Sequence, residues 1–258
     1  MKIAIPSDFV ELRPGALVRR GFETEAASWL GPGAGSAIAS GRASEPAASE
    51  RTEAGRGGAV RVALGGGGAA WLRPYRHGGL LRRVLGGIYW ERPPRAWREL
   101  VATEAARRSG IAAPEVLAAA ARPLAPPLCW LHRDVLVTRE IAGRRSLAAA
   151  LRSSTSESER RAWLARAWAV IERLHAAGIR HPDLNTGNLL VGEPCEPIAV
   201  IDFDRAVVGA PVGAVGRAFA RRRLARSVAK LGLPGLDRRG VAAVLGTSDG
   251  ERVAGAVS

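Results

Sequence analysis

His181-Pro182-Asp183-Leu184-Asn185-Thr186-Gly187-Asn188 and, one short apolar hairpin later, Ile201-Asp202-Phe203-Asp204 are the stretches on which the reading of this chain turns. Between them, Leu189 to Val191 and Ile198 to Ile201 are apolar runs joined by a turn containing Gly192, Pro194 and Pro197, which predicts a tight β-hairpin. Polar loop, hairpin and then Asp202 bring Asp183, Asn188 and Asp202 to one edge of a small sheet. That edge collects one candidate base and two oxygen ligands. An Asp carboxylate and an Asn carbonyl oxygen suit Mg2+, which takes hard oxygen ligands and keeps waters, while a separate Asp can orient an attacking hydroxyl. Asp183 alone could be a turn-capping carboxylate, but the presence of the whole set favours the chemical reading. His181 is expected to support the loop by hydrogen bonding rather than to carry protons.

Upstream, Ser156 and Glu159 form a capping-box pattern ahead of Trp163, Leu164, Ala167, Trp168, Ile171 and Leu174, with Gly178 at the far end, which predicts a long amphipathic helix. Val135 to Ile141 is β-branched enough for a strand, whereas the prolines of Leu124 to Leu128 exclude a central one. Pro93 and Pro94 introduce a helix carrying Trp97, Leu100, Val101 and Ala105 and closed by Gly110. Val60 to Leu64 and Ala70 to Tyr75 flank a glycine turn and predict a second hairpin. Residues 31–58 are rich in Gly, Ala, Ser and Pro and read as loop. A basic helix is expected from about Val215 to Lys230, with Arg217, Arg221, Arg222, Arg223 and Arg226 crowded into it.

Composition bounds the function classes. In a chain of 258 residues, 47% hydrophobic content is enough to bury a core and excludes wholesale disorder. The formal charge of +14 is carried by arginine, since Lys2 and Lys230 are the only lysines; it favours anionic partners such as phosphates, nucleic acid or anionic lipid, or else follows from a composition rich in Ala, Gly and Arg. Cys129 and Cys195 are too few for a disulfide framework and fit a reducing compartment. Pro6, Ser7 and Asp8 interrupt the first apolar stretch, so no secretion signal is expected, and no apolar run reaches the length of a membrane span. Membrane contact would then be peripheral and electrostatic. No histidine has partners at metal-ligand spacing, so no zinc site is expected.

The H-x-D-x-x-x-x-N spacing followed by strand, turn, strand and an Asp-Phe pair resembles the catalytic loop and metal-binding motif of the protein-kinase-like superfamily. Within it the closer resemblance is to 3-deoxy-D-manno-octulosonic acid (Kdo) kinases of lipopolysaccharide biosynthesis. Trp71-Leu72-Arg73-Pro74-Tyr75-Arg76-His77-Gly78-Gly79-Leu80, Arg95-Ala96-Trp97-Arg98-Glu99, Thr138-Arg139-Glu140-Ile141, Ile201-Asp202-Phe203-Asp204-Arg205 and Leu224-Ala225-Arg226-Ser227-Val228 carry it, over about Gly55 to Leu231. Asn185 stands where protein kinases usually place lysine, and Asp204 replaces the glycine of the Asp-Phe-Gly motif, which argues against an ordinary protein kinase.

The resemblance implies an α+β, bilobal protein-kinase-like fold: a poorly defined segment over 1–54, an N-lobe with a small antiparallel sheet over 55–141, and a mainly helical C-lobe over 142–258. It implies ATP between the lobes, Asp183 as the catalytic base, and Asn188 and Asp202 on Mg2+. Arg73, held by Glu99, would brace the nucleotide phosphates in the place of the usual lysine, with Arg76 as the alternative. Gly57 and Gly58 would close over the phosphates through backbone N–H groups, and Asn185 completes the nucleotide-binding set. The acceptor would be a hydroxyl of a Kdo-lipid A type glycolipid, met at an anionic membrane surface on the cytoplasmic face of a Gram-negative inner membrane, with no nucleic acid involved. A core heptose or another small-molecule acceptor, or a non-catalytic binder of anionic lipid or nucleic acid, are the alternatives.

Overall fold

The computed structural model describes residues 4–30, 59–75, 88–90, 93–124, 126–128, 130–234, 236 and 238–246. They fall into two compact units, bounded as Met1–Glu104 with Pro114–Ile141, and Ala105–Ala113 with Ala142–Ser258.

The first unit is an antiparallel sheet with a helix on each face. Its strands are β1 (Phe9–Arg13), β2 (Ala16–Arg19), β3 (Val60–Ala63), β4 (Ala69–Pro74), β5 (Ile88–Tyr89), β6 (Val116–Pro123) and β7 (His132–Arg139). They are ordered β1-β2-β6-β7-β4-β3, with β5 also paired to β7. Helix α1 (Glu23–Leu30) covers one face and α2 (Arg95–Arg108) packs on the other. The side-chain period of two divides the strands between these faces. Ala70, Leu72, Ala118, Ala120, Val135 and Val137 pack with Ala26 and Leu30 of α1. Ala119 and Leu136 pack with Ala96 and Leu100 of α2.

Two parts of this sheet differ from the expectation. Residues 1–54 were expected to be poorly defined, yet β1, β2 and α1 extend the sheet through the pairing of β2 with β6. The β1–β2 turn needs Gly15, which has φ +82°, and a Cβ there would lie 2.5 Å from the carbonyl oxygen of Ala121. Strand β6, which the sequence reading omits, is central between β2 and β7 and buried from Val116 to Ala121. Its run of alanines lacks the β-branched signature, but alanine lets α1 and α2 lie close to both faces of the sheet.

The second unit carries the expected long helix, α4 (Glu157–Ala176), preceded by α3 (Leu147–Ser153) and followed by α5 (Ala214–Ala229) and α6 (Arg238–Gly246). Ser156 caps α4, its Oγ accepting from Glu159 N at 3.3 Å. The reciprocal half of the capping box is diverted: Glu159 accepts from Ser154 Oγ at 2.5 Å, and Ser156 N donates to that same hydroxyl at 3.2 Å. Trp163, Leu164, Ala167, Trp168, Ile171 and Leu174 are buried, as the periodicity predicts. At about 1.5–3 kcal/mol for each large side chain, this face anchors the unit. Gly178 ends the helix at φ +73°, and a Cβ on it would meet the Gly209 carbonyl oxygen at 2.0 Å. The small strands are β8 (Arg145–Ser146), β9 (Ile179–Arg180), β10 (Leu189–Val191), β11 (Ala199–Val200) and β12 (Val207–Val208), ordered β11-β10-β8 and β12-β9.

Candidate active site

The predicted hairpin exists and sets the register of the site. Leu189 pairs with Val200, and Ile201 N donates to Asn188 O at 3.0 Å. Asn188 therefore enters β10 opposite the residue that precedes Asp202. The loop before it is tied to its own backbone. Asn188 Nδ2 donates to Asp183 O at 3.0 Å, a bond that uses the amide nitrogen and not the amide oxygen. Asn185 Nδ2 donates to the same carbonyl at 2.8 Å, and Asn185 Oδ1 accepts from Gly187 N at 2.8 Å. Asn185, assigned above to nucleotide binding, spends both ends of its amide on holding the loop that carries Asp183.

Asp202 has φ +64°, the sole non-glycine residue in the left-handed region among the described residues. An Asp tolerates this conformation better than most residues but is still strained in it, and such strain collects where a side chain must be aimed. Phe203 is buried, its ring tilted at 49° to that of His181 with centroids 5.2 Å apart, and Ala206 N donates to Phe203 O at 2.9 Å to close the following turn. His181 Nε2 meets Ile201 O at 3.3 Å, so the histidine supports the loop as expected. Burial pushes its pKa below the ordinary range, against the raising influence of the Ile201 carbonyl and the carboxylates of Asp202 and Asp183.

The sequence reading did not single out the groups that surround this loop. Thr186 is held by Ser227 of α5: its N–H donates to Ser227 Oγ at 3.0 Å, and the two hydroxyls lie 2.9 Å apart. One helical turn earlier on the same face of α5, Arg223 Nη1 stands 3.6 Å from Asp183 Oδ1. Arg205, inside the turn after Asp202, places Nε 3.5 Å from Asp183 Oδ2. Asp183 is 45% exposed. Arg223 was read only as one of a basic group, and no local pattern could have paired it with Asp183, because the pairing is tertiary.

In the first unit, Leu72 and Ala70 of β4 face α1, so Arg73 emerges toward α2, where its guanidinium pairs with Glu99. The expected cation and carboxylate are joined. Glu99 is 3% exposed, and a carboxylate so buried needs compensating donors. It accepts from Arg73 and from the Tyr75 hydroxyl. The guanidinium of Arg73 also lies 5.2 Å from the Tyr75 ring centroid. Helix α2 is positioned by Asp134 of β7, which accepts from Ala96 N at 3.2 Å and binds His132 Nδ1 at 2.6 Å. Gly57, Gly58 and Arg76 lie outside the described residues.

Among the described residues no group of three or more His, Cys, Asp or Glu side chains forms a metal cage. An amide oxygen and a carboxylate, such as Asn188 and Asp202 carry, are hard oxygen donors of the kind that suits a cation completing its shell with phosphate and water. No described helix is long and apolar enough to cross a membrane.

A family model described as the Lipopolysaccharide kinase (Kdo/WaaP) family matches residues 47–243, most of the chain and both units. The chain belongs to this family. Within the lipopolysaccharide kinases, it is similar to the 3-deoxy-D-manno-octulosonic acid kinase of Vibrio cholerae serotype O1, 28% identical over 162 residues, which cover 62% of this chain and 65% of that one. The enzyme of the same name from Xylella fastidiosa is 29% identical over 188 residues, covering 66% of this chain and 68% of that one. A solved structure of WaaP in complex with acyl carrier protein superposes with a TM-score of 0.59, covering 92% of this chain and 91% of that one. At 18% identity it shows the fold alone, the kinase-like α+β fold expected from the sequence.

Proposed function

We propose that this chain transfers the γ-phosphoryl group of ATP to a hydroxyl of Kdo in a Kdo-lipid A type acceptor. The observation that carries the reading is the loop in which the Asp183 carbonyl receives the Asn188 amide while the Asn188 carbonyl fixes the strand leading to Asp202. Base and oxygen ligands are thereby held in one hydrogen-bonded frame. Asp183 accepts or orients the proton of the acceptor hydroxyl as the new oxygen–phosphorus bond forms and the bond to the ADP oxygen breaks. Asn188 and Asp202 would hold Mg2+, which would supply charge neutralisation at the phosphate oxygens. Arg73, fixed by Glu99 and Tyr75, braces the nucleotide phosphates, and its planar fork offers two parallel donors where a lysine offers a point charge. Family membership supports a lipopolysaccharide kinase, and the relatives named as Kdo kinases favour Kdo as its acceptor sugar. The family description also spans WaaP, so a different lipopolysaccharide core sugar is the second reading.

An anionic membrane surface is the proposed setting for the acceptor. On α5, Val215 and Phe219 are 71% and 64% exposed, and Arg222 and Arg226 continue the same exposed stripe at helical spacing. Apolar tips beside guanidinium groups suit the headgroup boundary of a bilayer carrying negative charge. The deciding experiment follows labelled γ-phosphate from Mg-ATP into Kdo-lipid A and, in parallel, into heptosylated core, with wild-type and Asp202→Ala protein. Label on Kdo that disappears in the variant establishes the activity. Label on heptosylated core alone moves the enzyme to another sugar, and no label on either overturns the kinase reading.

A further inference from the structure

We propose that Arg205 and Arg223 are a binding site for an oxyanion of the acceptor, placed beside the hydroxyl that Asp183 receives. This rests on the acceptor reading above and adds the residues that select an acidic acceptor. Three observations carry it. First, two guanidiniums from different elements converge on the two oxygens of one carboxylate, at 3.5 and 3.6 Å. Those lengths exceed a good charge-assisted hydrogen bond, so the donors are close to Asp183 without being saturated by it.

Second, both are solvent-accessible, Arg205 at 68% and Arg223 at 42%, and exposed ion pairs of this kind contribute little to stability. Exchanging one anion for another therefore meets a small penalty. Third, both are anchored at the backbone. Arg205 sits inside the turn closed by Ala206 N on Phe203 O, and Arg223 shares its helix face with Ser227, which is bonded to Thr186. The helix meets the Asp183 loop through Ser227 on Thr186, and the turn meets it through Phe203 on His181.

The chemistry supplies the reason. An acidic sugar brought to the Asp183 carboxyl group and a polyphosphate places acidic groups together, and two guanidiniums beside Asp183 offset that repulsion while gripping the sugar acid bidentately. A neutral acceptor would leave both guanidiniums on Asp183. The matching oxyanion is the carboxylate of Kdo or a phosphate of lipid A, and the test separates these sources.

Ligand-observed NMR of wild-type and Arg205→Gln/Arg223→Gln protein with free Kdo, Kdo methyl ester and inorganic phosphate gives the direct readout, and steady-state kinetics on Kdo-lipid A gives the second. The expected result is Kdo binding at least about tenfold weaker in the double variant, ester binding that is weak in both proteins, and a KM for acceptor raised about tenfold or more with the KM for ATP unchanged. Binding of phosphate but not Kdo, lost in the variant, assigns the site to the lipid phosphate. Equal binding of Kdo by both proteins, or of ester and acid by wild type, together with no phosphate binding that the double variant loses, overturns the proposal. Loss of Kdo binding in the double variant without transfer to Kdo-lipid A by wild type keeps the site and overturns the acceptor reading. Normal transfer with unchanged KM in the double variant does the reverse.

Discussion

The two charged constellations of this chain are built on opposite plans. Glu99 is buried, receives a guanidinium and a phenol, and sits in a helix whose start is capped from a neighbouring strand. Asp183 is half open to solvent and has two guanidiniums near it at lengths too great for strong bonds. A buried carboxylate that loses its donors is left with an uncompensated charge, so the first arrangement is locked. An exposed carboxylate exchanges partners with water or ligand at little penalty, so the second is free to respond to what arrives. The contrast separates a bracket, which must not change during a reaction cycle, from a working group, which must.

The largest expected effect breaks the working side. Asp183→Ala lowers phosphoryl transfer by roughly 10²–10⁴-fold, the range of a positioned general base, while its melting temperature stays near wild type because the carboxylate is 45% exposed and the loop is tied to the Asp183 main-chain carbonyl, which alanine keeps. A variant that turns over normally refutes the role. On the locked side, Glu99→Gln keeps the shape but leaves Arg73 without its counter-charge. It should cost about 1–3 kcal/mol of stability and raise the KM for ATP, read by denaturant unfolding and kinetics. If unfolding is unchanged, Glu99 is not the fixed bracket described.

A third test uses acidity. Burial first, and then Arg217, lower the pKa of His175 in α4. Its unfolded value is about 6.5, so the unfolded chain takes the proton first as pH falls, and the stability present above that value declines toward the lowered folded one. Melting temperature should fall between pH 7 and 5.5, and His175→Gln should flatten that slope. The smallest effect concerns the link between loop and helix. Ser227→Ala removes the partner of Thr186 and is expected to lose about 1 kcal/mol. If the link also places Arg223, acceptor KM rises modestly while ATP KM does not.

The elements and site residues with local signatures were legible in the sequence. The Asp183 to Asn188 spacing and the apolar runs after it define a loop and hairpin by chain order alone, and the Ser156 cap and the periodicity of α4 are likewise local. Strand β6 was not legible, because alanines are depleted in strands and become one here through the strands that flank them. The N-terminal hairpin was missed because both strands are short and its link to the rest of the sheet, β2 on β6, is remote in sequence. Asn185 was legible as a polar loop residue but not as a structural one, since only the folded loop shows both ends of its amide returning to the backbone. Arg205 and Arg223 needed the tertiary fold, since no sequence spacing sets the distance between a turn and a helix.

The backbone of Asp202 has a consequence for how this chain can drift. At φ +64° a glycine is relaxed, an asparagine tolerable and an alanine strained. Three substitutions that remove the same carboxylate therefore differ in heat resistance, in the order Gly, Asn, Ala, although none can ligate as the native residue does. A lineage released from selection for phosphoryl transfer has a stabilising exit at this codon. A glycine at this position in a relative that otherwise keeps the fold would mark a chain that exchanged chemistry for durability.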